Sequence, residues 1–115
     1  MAKAFDEQEL LDRVDNDVGF LAETVQMLAT DGRSLLAEVR QALAAGDAAA
    51  VGRSAHTLKG MISNFCSPQT QAGAFYVEKL GKSGDLSSAP AAVQMLGDGL
   101  EALIAELLDF VQART

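Results

Sequence analysis

Apolar residues recur along this chain at alternating spacings of three and four, the period of helices that each turn one face to a core. Val51, Ala55, Leu58, Ile62 and Phe65 fall into one such stripe when placed at about 100° per residue. Leu21, Val25, Leu28, Gly32, Leu35, Val39 and Leu43 mark a second stripe, and Val93, Leu96, Leu100, Leu103, Ile104, Leu107 and Val111 a third. Phe5-Asp6-Glu7-Gln8-Glu9-Leu10 has the form of a capped start, with Asp6 as N-cap, Glu9 three residues on, and Phe5 and Leu10 placed as a hydrophobic staple. A short first helix is expected to about Val14. Asn16 or Asp17 caps the second helix, which ends at Gly46. Thr30-Asp31-Gly32 are poor helix formers, but the apolar period passes through them without slipping, so one long helix with room for a bend is expected. Asp47 caps the third helix. Ser67 and Pro68 read as N-cap and N1 of the fourth, with Gly73, Tyr76, Val77 and Leu80 inward and a stop near Gly84. Ser88 and Pro90 open the last.

Short connections make neighbouring helices antiparallel. The expected fold is all-α, an up-and-down antiparallel four-helix bundle with a short additional N-terminal helix, in one domain over residues 1–115. A composition of 49% hydrophobic residues with only two prolines, and no Val/Ile/Thr-rich alternating run, agrees with helix throughout. The net charge of −7 disfavours nucleic acid and anionic membranes as partners, since both bind clustered Lys and Arg. No apolar run approaches the roughly 18 to 20 residues of a membrane span, and nothing reads as a signal peptide, so a cytoplasmic location without membrane contact is expected. The single cysteine, Cys66, cannot form an internal disulfide and reads as a small buried turn residue. Met27, Met61 and Met95 read as packing residues.

His56 is the one histidine in the chain, and it lies about 140° from the centre of the Val51 to Phe65 stripe, facing outward. Gly52, Arg53, Lys59, Gly60 and Ser63 surround it on the wheel. Glycine inside a helix costs about 1 kcal/mol relative to alanine, so Gly52 and Gly60, one turn either side of His56, ask for a reason. Removing side chains there would bare the imidazole to a partner, making Gly52, Gly60 and Ser63 an open docking face. Lys59 and Arg53 would put positive charge beside whatever sits on the ring, a phosphoryl group being the obvious candidate. The third and fourth helices turn near Ser67, and His56 and Glu78 stand eleven residues either side of it. Glu78 is therefore level with the imidazole and could orient it by accepting a hydrogen bond from Nδ1–H, leaving Nε2 free to attack phosphorus. The same pivot sets Lys82 level with Gly52 as a further phosphoryl-stabilising cation, and Phe75 level with Lys59 as an apolar contact for a docking partner. No metal site is expected, since Cys66 stands about 15 Å of helix away from His56.

The stretch His56-Thr57-Leu58-Lys59-Gly60 resembles the signature of histidine-containing phosphotransfer (HPt) domains, the small helical bundles that relay phosphoryl groups in two-component signalling. The likeness extends to Gly46-Asp47, Asn64-Phe65, Glu78-Lys79-Leu80 and Gly84-Asp85, from roughly Phe5 onward. It departs at Cys66, where the family usually has glycine and the helix end is therefore expected to be shaped differently. The resemblance implies phosphorylation on Nε2 of His56, a Glu or Gln in the place of Glu78, and response-regulator receiver domains as partners, with a hybrid sensor histidine kinase as a further candidate. Magnesium would then sit in the receiver, and this chain would bind no cofactor of its own. No phosphate-cradling glycine loop or ATP-site motif is present, which points to a carrier and not an enzyme. A different class of function, a non-catalytic helical adaptor binding a partner through the His56 face, uses the same exposed surface.

Overall fold

The structure, a computed structural model, describes residues 3–115. Helix α1 (Glu7–Arg13) starts at Asp6, whose Oδ1 accepts from the Glu9 N–H at 3.0 Å, with Phe5 and Leu10 both buried. Glu9 does not reach back to complete a reciprocal box. Its carboxylate pairs with Arg13 at 3.1 Å, and the Asp6 N–H donates instead to the Cys66 carbonyl at 2.9 Å.

Helices α2 (Val18–Met27) and α3 (Arg33–Ala44) run on from one another through a π turn at Leu28–Gly32. Asp17 is the cap, accepting from the Phe20 N–H at 3.0 Å, while Asn16 takes a left-handed φ of 59° in the turn before it. The helix is continuous, as expected, and the apolar period passes through the π turn to Val39; the local change is the wider hydrogen-bonding of those five residues. The buried face runs Leu21, Val25, Leu28, Gly32 and then Leu36 and Val39, leaving Leu35 and Leu43 only partly buried. The π turn includes Thr30-Asp31-Gly32, the residues least committed to a regular helix.

Helix α4 (Ala48–Ile62) is capped by Asp47, whose Oδ1 accepts from the Ala50 N–H at 3.1 Å. Val51, Ala55, Leu58, Ile62 and Phe65 all lie in the core, and each fully buried Leu or Ile is worth about 2 kcal/mol. A 3-10 turn at Ser63–Phe65 ends on Cys66 with φ 56° and ψ 44°. Cys66 thus adopts the left-handed conformation that glycine takes most easily, at a cost of about 1–2 kcal/mol.

Helix α5 (Pro68–Ser83) has proline in its first turn, but Ser67 does not cap it. The Ser67 hydroxyl donates to the Ala4 carbonyl at 2.5 Å and lies 2.9 Å from the Thr70 hydroxyl. The inward face is Thr70, Ala74, Val77, Glu78 and Gly81; Tyr76, expected inside, is exposed, and Gly73 and Leu80 are only partly buried. Gly81 lies on this face where the backbones of α4 and α5 touch: a Cβ at Gly81 would lie 2.4 Å from the Gly52 nitrogen.

Helix α6 (Ala89–Gln112) buries Val93, Leu96, Leu100, Leu103, Ile104, Leu107 and Val111, together with Phe110, which meets the Phe5 ring edge to face at 5.3 Å. The α2–α3 helix, α4, α5 and α6 form an all-α, up-and-down antiparallel four-helix bundle, and α1 closes the end where α4 turns into α5. Among the described residues no helix is long and apolar enough to cross a membrane, and no group of three His, Cys, Asp or Glu side chains is placed to hold a metal ion.

Candidate functional site

His56 projects from the outer face of α4 with 64% of its side chain exposed, and its Nδ1 lies 2.9 Å from Oε2 of Glu78 on α5. Glu78 is the opposite case. Its side chain is 2% exposed, yet it carries a charge, held by the Lys82 ammonium at 2.8 Å on Oε2 and the Lys59 ammonium at 2.8 Å on Oε1. The Lys59 contact lies off the direction of a good hydrogen bond, so it is chiefly electrostatic. Lys59, then Lys82, and more weakly His56, together outweigh burial and draw the Glu78 carboxyl down to about 2. A carboxylate only accepts, so the His56 Nδ1 must carry the proton, and in the neutral ring Nε2 keeps its lone pair. That nitrogen is on the exposed side.

The other candidate residues divide into those gathered at the ring and those engaged elsewhere. Lys59 is 24% exposed, and its ammonium also lies 4.7 Å from the centroid of the half-exposed Phe75 ring. Lys79 approaches the same ring at 4.8 Å, a cation that the spacing argument missed. Arg53 is exposed one turn before His56 and makes no ion pair among the described residues. Gly60 is open: a Cβ there would meet nothing within 4 Å. Ser63 is partly buried, its hydroxyl donating to the Gly60 carbonyl and its own carbonyl accepting from Arg13 at 2.8 Å.

Gly52 does not belong to an open face. It is buried against α5, where an added Cβ would lie 3.5 Å from the Lys82 nitrogen and 3.6 Å from the Glu78 carbonyl oxygen. The glycine serves close helix packing, and its backbone forms part of the floor of a depression lined also by Arg53, His56, Thr57, Gly81 and Lys82.

A second depression, between α2 and α4, reaches His56's neighbours Thr57 and Gly60 and is lined by Phe20, Thr24, Met27 and Met61. Phe20 and Met27 are 53% and 58% exposed, so Met27 is not a packing residue, and Met95 on α6 is more exposed still. Phe20 and Met27 stand two turns apart on the flank of the Leu21-Val25-Leu28 stripe. Large apolar residues left off a stripe that already fills the core were the available signal.

A family model for the Hpt domain matches residues 23–110. The chain belongs to the Hpt domain family. Hpt domains are carriers of phosphoryl groups in two-component phosphorelays, where they work with response-regulator receiver domains and kinases. The fold of this Hpt domain is similar to that in the crystal structure of histidine-containing phosphotransfer protein B (HptB) from Pseudomonas aeruginosa PAO1. The TM-score is 0.90 with 98% of each chain covered, at 22% sequence identity, a likeness of fold. Comparison with curated protein sequences returns no significant match. The family match begins at Glu23, so α1 and the Phe20 end of α2 in this Hpt domain lie outside it. Although the chain as a whole is acidic, Lys59 and Lys82 hold the carboxylate beside His56, Arg53 lines the same depression as the ring, and Lys79 lies over Phe75.

Proposed function

We propose that His56 accepts a phosphoryl group from the aspartyl phosphate of a receiver domain and passes it to the aspartate of a second receiver. The observation that carries this reading is the Nδ1 to Glu78 contact at 2.9 Å on a ring that is 64% exposed, which presents Nε2 as a nucleophile to a visiting surface. The Nε2 lone pair forms a bond to phosphorus, the acyl-phosphate P–O bond breaks, and the electron pair leaves on the donor's carboxylate. The ring keeps its Nδ1 proton, and the positive charge it gains is balanced by Glu78. The reverse step on a second receiver carboxylate regenerates neutral His56. Positioning and charge stabilisation do most of the work in such transfers.

Arg53, Lys59 and Lys82 supply positive charge for the phosphoryl oxygens, and Lys59 and Lys82 also hold Glu78. Gly60 and the groove of Phe20 and Met27 receive the partner on one side of the ring, and Phe75 does so on the other. Magnesium belongs to the receiver's acidic pocket, and a receiver within a hybrid sensor kinase is one source of the donor. The protein is a substrate and carrier in this scheme, without kinase activity of its own.

The test is incubation with phosphorylated receivers. The expected product is an acid-labile, alkali-stable label at His56 that is absent from a folded His56→Gln variant. Partner function that survives His56→Gln undiminished would instead favour a helical adaptor using the same face.

A further inference from the structure

Packed helices usually keep their axes about 8–10 Å apart, with side chains between them. At Gly52 and Gly81 the backbones themselves meet, for a Cβ at Gly81 would lie 2.4 Å from the Gly52 nitrogen, 2.7 Å from its Cα and 2.8 Å from the Ala48 carbonyl oxygen. Neither glycine takes a positive φ, so the conformational freedom of the residue is not what is used. The space is. One turn after Gly52 on α4 stands His56, and one turn before Gly81 on α5 stands Glu78. Because the helices are antiparallel, both steps run the same way along the bundle, and the His56–Glu78 pair is the next rung above the glycine contact. The reach asked of Glu78 is therefore set by the rung below it. Its carboxylate, 2% exposed, spans from α5 to within 2.9 Å of His56 Nδ1, and such a bond weakens steeply once it is stretched or tilted. A methyl group at Gly81 would have to push the backbones apart by about 1 Å to reach ordinary contact distance.

We propose that Gly81 is a positioning residue for phosphoryl transfer: its backbone contact with Gly52 sets the α4–α5 spacing at which Glu78 holds the His56 Nδ1–H and so keeps Nε2 as the nucleophile. The role rests on His56 being the phosphoryl acceptor, but the ring's tautomer can be read with no donor present, so the two ideas fail separately.

The experiment is nitrogen NMR of the His56 ring at a pH where it is neutral, with transfer from a phosphorylated receiver measured on the same samples. Gly81→Ala is set beside Gly73→Ala, which adds a methyl to the same helix where it meets only Leu96 Cδ1 at 3.8 Å. It is also set beside Leu103→Ala, a truncation of a wholly buried residue on α6 that lowers stability without wedging α4 from α5. The wild type and both comparison variants are expected to show the Nδ1–H tautomer and similar transfer rates. Gly81→Ala is expected to move toward the Nε2–H tautomer that imidazole prefers in water and to slow labelling roughly 10- to 100-fold, the scale of an ångström's misplacement. The Glu78 carboxyl, held at about 2, should then titrate closer to 4.5. Gly52→Val applies the wedge from the other helix and is read in the same way if Gly81→Ala does not fold. A folded Gly81→Ala with the wild-type tautomer and rate overturns the positioning role. A wild type that takes no label at His56 overturns the relay reading, whatever the tautomer does.

Discussion

Replacing Glu78 with glutamine keeps the side chain's shape and an oxygen that can accept from the His56 Nδ1–H, and removes only the charge. Glu78 is the one buried charged residue among those described, and its neighbours draw its carboxyl from 4.5 down to about 2. With the folded value below the unfolded one, ionisation favours the folded state. That contribution is complete above about pH 4.5 and is lost as the pH falls toward 2. A shift of this size would be worth about 3 kcal/mol at most. The His56 and Lys82 side chains are 64% and 68% exposed, so water screens much of the attraction, and about 1–2 kcal/mol is the expected net value. Urea unfolding of the wild type and Glu78→Gln from pH 2.5 to 7 would measure it. The stability gap should stand near this value at pH 6–7 and close toward pH 2.5. Phosphoryl acceptance by Glu78→Gln should stay within roughly threefold of wild type, while Glu78→Ala, which leaves Nδ1–H without its acceptor, should be slower by about tenfold or more. A gap that does not change with pH would refute the view that the lysines hold this carboxylate ionised. A glutamine variant as slow as alanine would show that charge, and not orientation, is what the ring requires.

Gly60→Gln should block transfer from a receiver by more than about tenfold while raising helix stability by roughly 0.5–1 kcal/mol, since a Cβ there meets nothing within 4 Å. Normal transfer in a thermally stable Gly60→Gln protein would remove the open-face argument. The pair Phe20→Ser and Met27→Ser should weaken receiver binding by about tenfold in calorimetry without lowering the melting temperature, because both residues are already exposed; an unchanged Kd would place the receiver elsewhere. Cys66→Gly should relieve the left-handed backbone at φ 56° but lose the packing of a buried thiol, leaving unfolding free energy within about 1 kcal/mol of wild type. A much larger loss would mean that the sulfur holds the turn.

What the sequence shows and what it hides follow from which forces have a period. The stripe from Val51 to Phe65 is legible because burial follows the 3.6-residue turn, and the level of Glu78 is legible because an antiparallel hairpin pairs residues equidistant from Ser67. On α5 hydrophobic weighting favours Tyr76 inward, whereas the helix buries Val77 and Glu78 and brings Gly81 against Gly52. Leu36 takes the core position in place of Leu35 because the two adjacent leucines flank the same stripe between Gly32 and Val39, and apolar spacing alone does not choose between them. A helical glycine can open a surface or admit a neighbouring backbone, and for Gly52 only the position of α5 distinguishes the two. Phe20 and Met27 were overlooked because a helical wheel identifies the core face and says little about apolar residues beside it.

The hydrogen bond from the Asp6 amide to the Cys66 carbonyl, with the Ser67 hydroxyl on Ala4, pins the corner about which α4 and α5 could scissor. His56 stands eleven residues from Ser67, a lever of roughly 16 Å, so about 4° of play at the pin would sweep the imidazole through about 1 Å relative to its carboxylate. The opening residues, with no chemistry of their own and outside the stretch matched to the family, therefore act as a brake on that swing. A chain begun at Val18 would keep every group at the histidine and lose the steadiness with which they are aimed.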